Sequence, residues 1–93
     1  MPTPLRVLIL EDQPTDAELT VRELHRAGFA PDWQRVESER AFVAALDAPC
    51  VLILSDYRLP GFTALQALRH VRERRLDTPV IVLTGTLGDE EAV

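Results

Sequence analysis

The sequence contains no lysine, a single cysteine and no long apolar run. With Cys50 as the one thiol, an internal disulfide is excluded, and no cysteine or histidine stands at the spacing of a metal-binding motif. No apolar stretch approaches the roughly 20 residues that a membrane helix needs. The first residues also lack the charged and apolar regions of a signal peptide, so the sequence predicts a cytoplasmic protein without a membrane partner.

Basic residues are also in deficit, since 10 arginines stand against 15 acidic residues. The formal net charge of -5 disfavours direct binding to nucleic acid or to an anionic membrane, because phosphates require basic patches. Hydrophobic residues nevertheless make up 46% of the chain, which is typical of a packed globular core. At 93 residues the chain is long enough for one domain and not for two, so residues 1–93 are interpreted as a single domain.

Four short segments have the composition of strands. Residues 5–10, 51–54 and 80–83 are apolar runs whose length and branched side chains indicate strands buried on both faces. Residues 32–36 alternate poorly, and they are predicted to form a strand because they lie between two helical segments.

Three helical segments lie between these strands. Thr15 and Glu18 have the spacing of a capping box at the start of the first helix, and Gly28 is a natural stop for it. Ser38 is predicted to cap the second helix and Thr63 the third. The residues predicted to face the core are Ala17, Val21 and Leu24, then Phe42, Ala45 and Leu46, then Leu65, Leu68 and Val71.

The segments alternate as β-α-β-α-β-α-β, and residues 88–93 resemble the first turn of a further helix. Such alternation predicts an α/β fold, a doubly wound parallel sheet with helices on both faces and right-handed crossovers. Ligands of such sheets bind outside the carboxyl ends of the strands. The residues that follow the strands are therefore the candidate site.

Three of the predicted strands are followed by residues that carry chemistry, which are Glu11 and Asp12, Asp56, and Thr84. Carboxylates that converge in a small cleft repel one another, and the loss of hydration strengthens the repulsion. Either a retained proton or a hard divalent cation relieves it, and Mg²⁺ prefers oxygen ligands of this kind. A carboxylate can also act as a nucleophile and form an aspartyl phosphate, with a nearby hydroxyl donating to a phosphoryl oxygen.

At these residues the sequence resembles a known family. The segments Glu11-Asp12, Asp56-Tyr57-Arg58-Leu59-Pro60-Gly61 and Leu83-Thr84-Gly85 resemble, in order and in spacing, the three signatures of the receiver domain of bacterial two-component response regulators. The resemblance covers the whole chain. It implies a flavodoxin-like sheet with the strand order 2-1-3-4.

The resemblance also implies a role for each residue. Asp56 is the phosphoacceptor, and Thr84 is the switch hydroxyl that is drawn inward when the phosphoryl group arrives. Glu11, Asp12, Asp56 and the backbone carbonyl of Arg58 hold Mg²⁺. The phosphoryl donor is a phosphohistidine on a sensor histidine kinase or a phosphotransfer protein. The implied function is a signalling module that switches partner binding, and not an enzyme beyond the hydrolysis of its own aspartyl phosphate.

The chain departs from the family pattern at its end. The resemblance implies a fifth strand and a fifth helix, with a lysine that pairs with the phosphoryl group, and this sequence reaches neither and contains no lysine. If these residues are the whole molecule, we expect slow or absent phosphorylation. The alternative function is then a phosphorylation-incompetent interaction or dimerisation module. The strand at residues 80–83 would form an apolar edge, which predicts a homodimer or a strand-swapped oligomer.

A rival interpretation from the enzyme class is an aspartate-nucleophile phosphatase. Such enzymes carry a second carboxylate two residues after the nucleophile, as acid and base. Here that position is Arg58. The sequence therefore favours the signalling module.

Overall fold

The computed structural model describes residues 2–56, 59 and 61–83. The elements follow one another as β1 (Thr3–Leu10), α1 (Pro14–Arg26), β2 (Phe29–Val36), α2 (Glu39–Ala45), β3 (Leu52–Asp56), α3 (Ala64–Glu73) and β4 (Val80–Leu83). This order confirms the predicted alternation of strands and helices. The helical turn predicted at residues 88–93 lies outside the described residues.

The four strands form one parallel sheet with the order β2-β1-β3-β4. This is the predicted strand order. β1 lies inside the sheet, where Val7 pairs with Trp33 of β2 on one side and with Leu52 of β3 on the other. β2 begins three residues earlier than predicted, because Phe29 pairs with Thr3 at the start of β1. Within the described ranges, no helix is long and apolar enough to cross a membrane.

Each face of the sheet carries its own core, as a doubly wound fold requires. On one face α2 and α3 pack against the sheet, and the buried residues are Leu8, Leu10, Val36, Phe42, Leu46, Ile53, Leu59, Phe62, Ala67 and Val71. On the other face α1 packs, and the buried residues are Val7, Ile9, Ala17, Val21 and Leu54. The alternation along β1 explains the division, because successive side chains of a strand point to opposite faces.

The first turn of α1 differs from the prediction. The helix begins at Pro14 with Gln13 as its N-cap, so the capping box predicted from Thr15 and Glu18 is wrong. Proline is favoured at the first helical position, since it lacks the N–H that would be unpaired there and its φ is already helical. The predicted stop is confirmed, because Gly28 has φ +97° and its N–H donates to the carbonyl of His25.

The other two caps are confirmed. The Ser38 hydroxyl accepts from the N–H of Ala41 at the start of α2. At α3, the Thr63 hydroxyl accepts from the Gln66 N–H at 3.2 Å, and the Gln66 side-chain oxygen accepts from the Thr63 N–H at 2.8 Å. This reciprocal capping box fixes where the chain turns from the sheet edge into α3.

Replacing Thr63 with alanine should lower the free energy of unfolding by about 1 kcal/mol, because the Gln66 N–H in the first turn loses its acceptor. Thr15→Ala is the matched control, since Thr15 lies inside α1 and caps nothing, and its effect should stay within about 0.5 kcal/mol. Urea unfolding measures both. Equal losses in the two variants would contradict the assignment of the cap.

Most of the predicted core residues are confirmed, but Leu65 is not. Ala17, Val21, Phe42, Leu46 and Val71 are buried, and Leu24, Ala45 and Leu68 are half-buried. Leu65 is 69% exposed, because α3 turns Ala67 and Val71 toward the sheet instead. The small side chain of Ala67 lets this face of the helix lie against the sheet, and a pattern built on large apolar residues alone misses it.

Candidate functional site

The acidic residues meet at the carboxyl ends of two neighbouring strands. Glu11 and Asp12 directly follow β1, and Asp56 is the last residue of β3. Leu10 pairs with Ser55 across the two strands, so the residues that come next lie side by side. One carboxylate oxygen from each of Glu11, Asp12 and Asp56 lies within 4.8 Å of the others. The structure thus brings together the three carboxylates that the sequence placed at this edge.

Glu11 is held on three sides. Its N–H donates to the carbonyl of Val36 at 3.0 Å, which continues the pairing of β1 with β2. Its own carbonyl accepts from the guanidinium of Arg35 at 3.1 Å, and its carboxylate accepts from the N–H of Gln13 at 3.0 Å. With 8% of its surface exposed, this carboxylate is buried at the bottom of the cluster.

Burial raises the pKa of Glu11 from 4.5 to about 7. A hydrogen bond with the Asp12 carboxyl and the negative charges of Asp56 and Asp16 contribute to this rise in the pKa, while the hydrogen bond from Gln13 opposes it. Around neutral pH the cluster therefore keeps a proton on Glu11 for part of the time. A cation that replaced this proton would relieve the same repulsion.

Asp56 is half-buried, and its neighbours in the chain are fixed in the core. Ser55 is fully buried, and its hydroxyl donates to the carbonyl of Asp56 at 3.3 Å. Beyond Asp56, Leu59 and Phe62 are both buried in the core beneath α2 and α3. Asp56 thus ends a strand whose preceding residue is fully buried, and the next described residues that are buried are Leu59 and Phe62.

Two predicted site residues, Thr84 and Arg58, lie outside the described residues. Conversely, the prediction missed Arg35 and Gln13, which hold Glu11 in place. Arg35 could have been found, because it precedes the last residue of β2 and so lies at the same edge of the sheet. The contact of Gln13 has no signal in the sequence.

Comparison with known proteins agrees with this geometry. Residues 7–93 match the family model described as the response regulator receiver domain. The chain belongs to this family. Among curated relatives, the transcriptional regulatory protein TrcR of Mycobacterium tuberculosis is 36% identical over 85 residues, which cover 89% of this chain and 32% of TrcR. The chain spans about a third of the length of such relatives, from 32% to 40%.

Solved structures show the same fold. The receiver domain of the putative response regulator NarL from Mycobacterium tuberculosis has a TM-score of 0.73 at 28% identity, with 98% of this chain and 73% of that chain covered. The receiver domain of the sensor histidine kinase PA1611 from Pseudomonas aeruginosa has a TM-score of 0.69 at 24% identity, with 97% and 75% covered. That domain was solved with a magnesium ion coordinated in its active site cleft.

Membership in the family confirms the resemblance stated from the motifs, together with the flavodoxin-like fold. The chain is a receiver domain of the two-component type, and its acidic cluster is consistent with a phosphoaspartate site. Receiver domains in general partner with histidine kinases, and they are not classical enzymes. The family assignment therefore favours the signalling module over the phosphatase.

Proposed function

We propose that this protein is a phosphoacceptor signalling module in which Asp56 takes a phosphoryl group from a sensor histidine kinase or a phosphotransfer protein. The observation that carries the proposal is the convergence of Glu11, Asp12 and Asp56, with ligand atoms within 4.8 Å of one another at the carboxyl edge of the sheet. Membership in the receiver family supports it. We also propose that residues 1–93 act as one receiver unit.

The donor set fits Mg²⁺. Carboxylate oxygens are the ligands that this ion prefers, and the raised pKa of Glu11 reflects first its burial and then the nearby carboxyl groups of Asp12 and Asp56. Glu11, Asp12, Asp56 and the carbonyl of Arg58 would hold the ion, which would neutralise charge on the incoming phosphoryl group. The PA1611 receiver is 24% identical to this chain, so the similarity concerns the fold alone. The proposal of Mg²⁺ therefore rests on the oxygen ligands that this chain itself provides.

Phosphoryl transfer depends mainly on the position of the reacting groups and on neutralisation of the charge on the phosphoryl group. A carboxylate oxygen of Asp56 forms a bond to phosphorus, while the bond from phosphorus to the donor histidine breaks and its electron pair stays on the imidazole nitrogen. β3 fixes the backbone position of Asp56, whose side chain is the nucleophile. Glu11 would act as a ligand in its ionised form, and the hydroxyl of Thr84 would donate to a phosphoryl oxygen as the proposed switch.

An interaction module remains the second candidate, and one observation favours it. Ile81 and Val82 of β4 are 46% and 40% exposed, at the edge of the sheet as described. Branched apolar residues on a sheet edge favour pairing with another strand. The homodimer or strand-swapped oligomer expected from residues 80–83 therefore stays a prediction of this proposal.

The test of the proposed function is the intact mass of the protein after incubation with Mg²⁺ and acetyl phosphate. We expect an adduct of one phosphoryl group that is lost in Asp56→Asn and when a chelator removes the metal. Asp77→Asn is the matched control, because Asp77 is an exposed aspartate outside the cluster, and it should leave the adduct unchanged.

Two results would contradict the proposal. An adduct that persists in Asp56→Asn would place the acceptor elsewhere. No adduct on the parent protein would favour the interaction module, and sedimentation would then distinguish a dimer from a monomer.

A further inference from the structure

The end of β2 carries an arginine whose side chain crosses to β1. Arg35 pairs with Ile9 in the sheet, and its Nη1 atom donates to the carbonyl of Glu11, just beyond that pair, at 3.1 Å. The same Nη1 atom donates to the carboxylate of Glu37, on its own side of the sheet, at 3.0 Å. The guanidinium is therefore held in one direction, because two acceptors share a single charged nitrogen.

The contact lies where the pairing of the strands ends. Leu10 forms the final pair with Val36 on one side and with Ser55 on the other, and the Glu11 N–H still donates to the carbonyl of Val36. The carbonyl of Glu11 comes next along the chain, and it accepts from the side chain of Arg35. This side chain therefore extends the hold of β2 on β1 by one peptide group.

The Glu11 carbonyl belongs to the peptide group that joins Glu11 to Asp12. Because a peptide group is planar, a contact that fixes this carbonyl also fixes the N–H and the Cα atom of Asp12. The peptide group after Asp12 is held as well, since the N–H of Gln13 donates to the Glu11 carboxylate at 3.0 Å. Asp12 thus lies between two held peptide groups, and its carboxylate is one of the three that converge within 4.8 Å.

We propose that Arg35 is a positioning residue of the acidic cluster, which orients the peptide group between Glu11 and Asp12 so that their carboxylates bind a divalent cation together. It acts through the backbone carbonyl of Glu11. The inference rests on the proposed function, because it concerns the affinity of the same site. It assigns a purpose to a positive charge near three carboxylates, where charge alone would weaken the binding of a second cation.

The test compares Arg35→Met with Arg35→Lys and follows Mg²⁺ binding through the backbone NMR signals of Asp12 and Asp56. Both variants keep an apolar stem, but only lysine has a donor and a positive charge. One ammonium can make both contacts, because a single nitrogen of Arg35 makes them. The Arg35 side chain is 30% exposed, so both variants should fold. We expect Arg35→Met to weaken Mg²⁺ binding about three- to tenfold and Arg35→Lys to keep most of the parent affinity.

Arg6→Met is the matched control. Arg6 lies 3.5 Å from the carboxylate of Asp32 and so also joins β1 to β2, but halfway along the strands and away from the acidic cluster. This variant removes the same charge, and its Mg²⁺ affinity should equal that of the parent. Without metal, the backbone signals of Asp12 and Gln13 should shift in Arg35→Met and stay near their parent positions in Arg35→Lys.

Three outcomes would overturn the inference. Unchanged or tighter binding in Arg35→Met would leave Arg35 with an effect of charge alone. Equal weakening in Arg35→Met and Arg35→Lys would exclude the hydrogen bond as the cause, and equal weakening in Arg6→Met would assign the loss to general stability. A parent protein that binds no Mg²⁺ would instead sink the proposed function. In that case the metal-free signals of Asp12 and Gln13 still decide whether Arg35 orients this peptide group.

Discussion

Replacing Glu11 with glutamine should stabilise the metal-free protein above about pH 7, by about 1–3 kcal/mol. The cause is the pKa of Glu11, which burial raises to about 7 from the value of 4.5 that applies to the unfolded chain. Between these two values the folded protein holds a proton that the unfolded chain has released. The stabilisation is fully present below pH 4.5 and is lost as the pH rises through about 7. Glutamine does not ionise, so Glu11→Gln keeps this stabilisation above pH 7.

Unfolding by urea in the presence of a chelator measures this effect, at several values from about pH 5 to about pH 8. The parent protein should lose stability across this range, and Glu11→Gln should lose much less. Glu18→Gln is the matched control, because Glu18 is an exposed glutamate on α1 and its neutralisation should leave the pH profile of the parent in place. A parent profile that is flat between pH 5 and pH 8 would contradict the burial of an ionisable Glu11.

The same proton should oppose the binding of Mg²⁺. Below about pH 7 a cation at the cluster must displace the proton from Glu11, so the apparent affinity should fall by up to about tenfold per pH unit. Glu11→Gln removes this dependence together with one of the negative charges, so its affinity should be lower and flatter with pH. A stable, metal-free Glu11→Gln protein that binds Mg²⁺ poorly would show that the site costs stability in order to bind a cation.

The fold was largely predictable because its signals are local. Each of three strands is a short run of branched apolar residues. Because parallel strands place their carboxyl ends at one edge of the sheet, the proximity of Asp12 and Asp56 could be predicted from the sequence. The caps of α2 and α3 were also readable, since Ser38 and Thr63 contact N–H groups three residues away. The error at Thr15 has a local cause too, because the helix starts at Pro14, two residues earlier than a Thr15 cap would allow.

The environment of the site was less predictable because it depends on contacts between distant residues. Arg35 reaches the carbonyl of Glu11 across 24 residues of chain. The pKa of Glu11 follows from burial and from the approach of Asp56, neither of which has a periodic signal. The sequence therefore predicted which groups converge, and the structure adds how strongly they perturb one another.

Replacing Phe42 with alanine should lower the free energy of unfolding by about 3–5 kcal/mol, a large part of the roughly 5–14 kcal/mol expected for 93 residues. Phe42 is fully buried and lies directly against Phe62, so its loss leaves a cavity beside the Phe62 ring. Phe42→Leu refills most of the volume and should cost clearly less. Urea unfolding of the two variants tests this, and a loss below about 1 kcal/mol in Phe42→Ala would mean that the ring does not support the core.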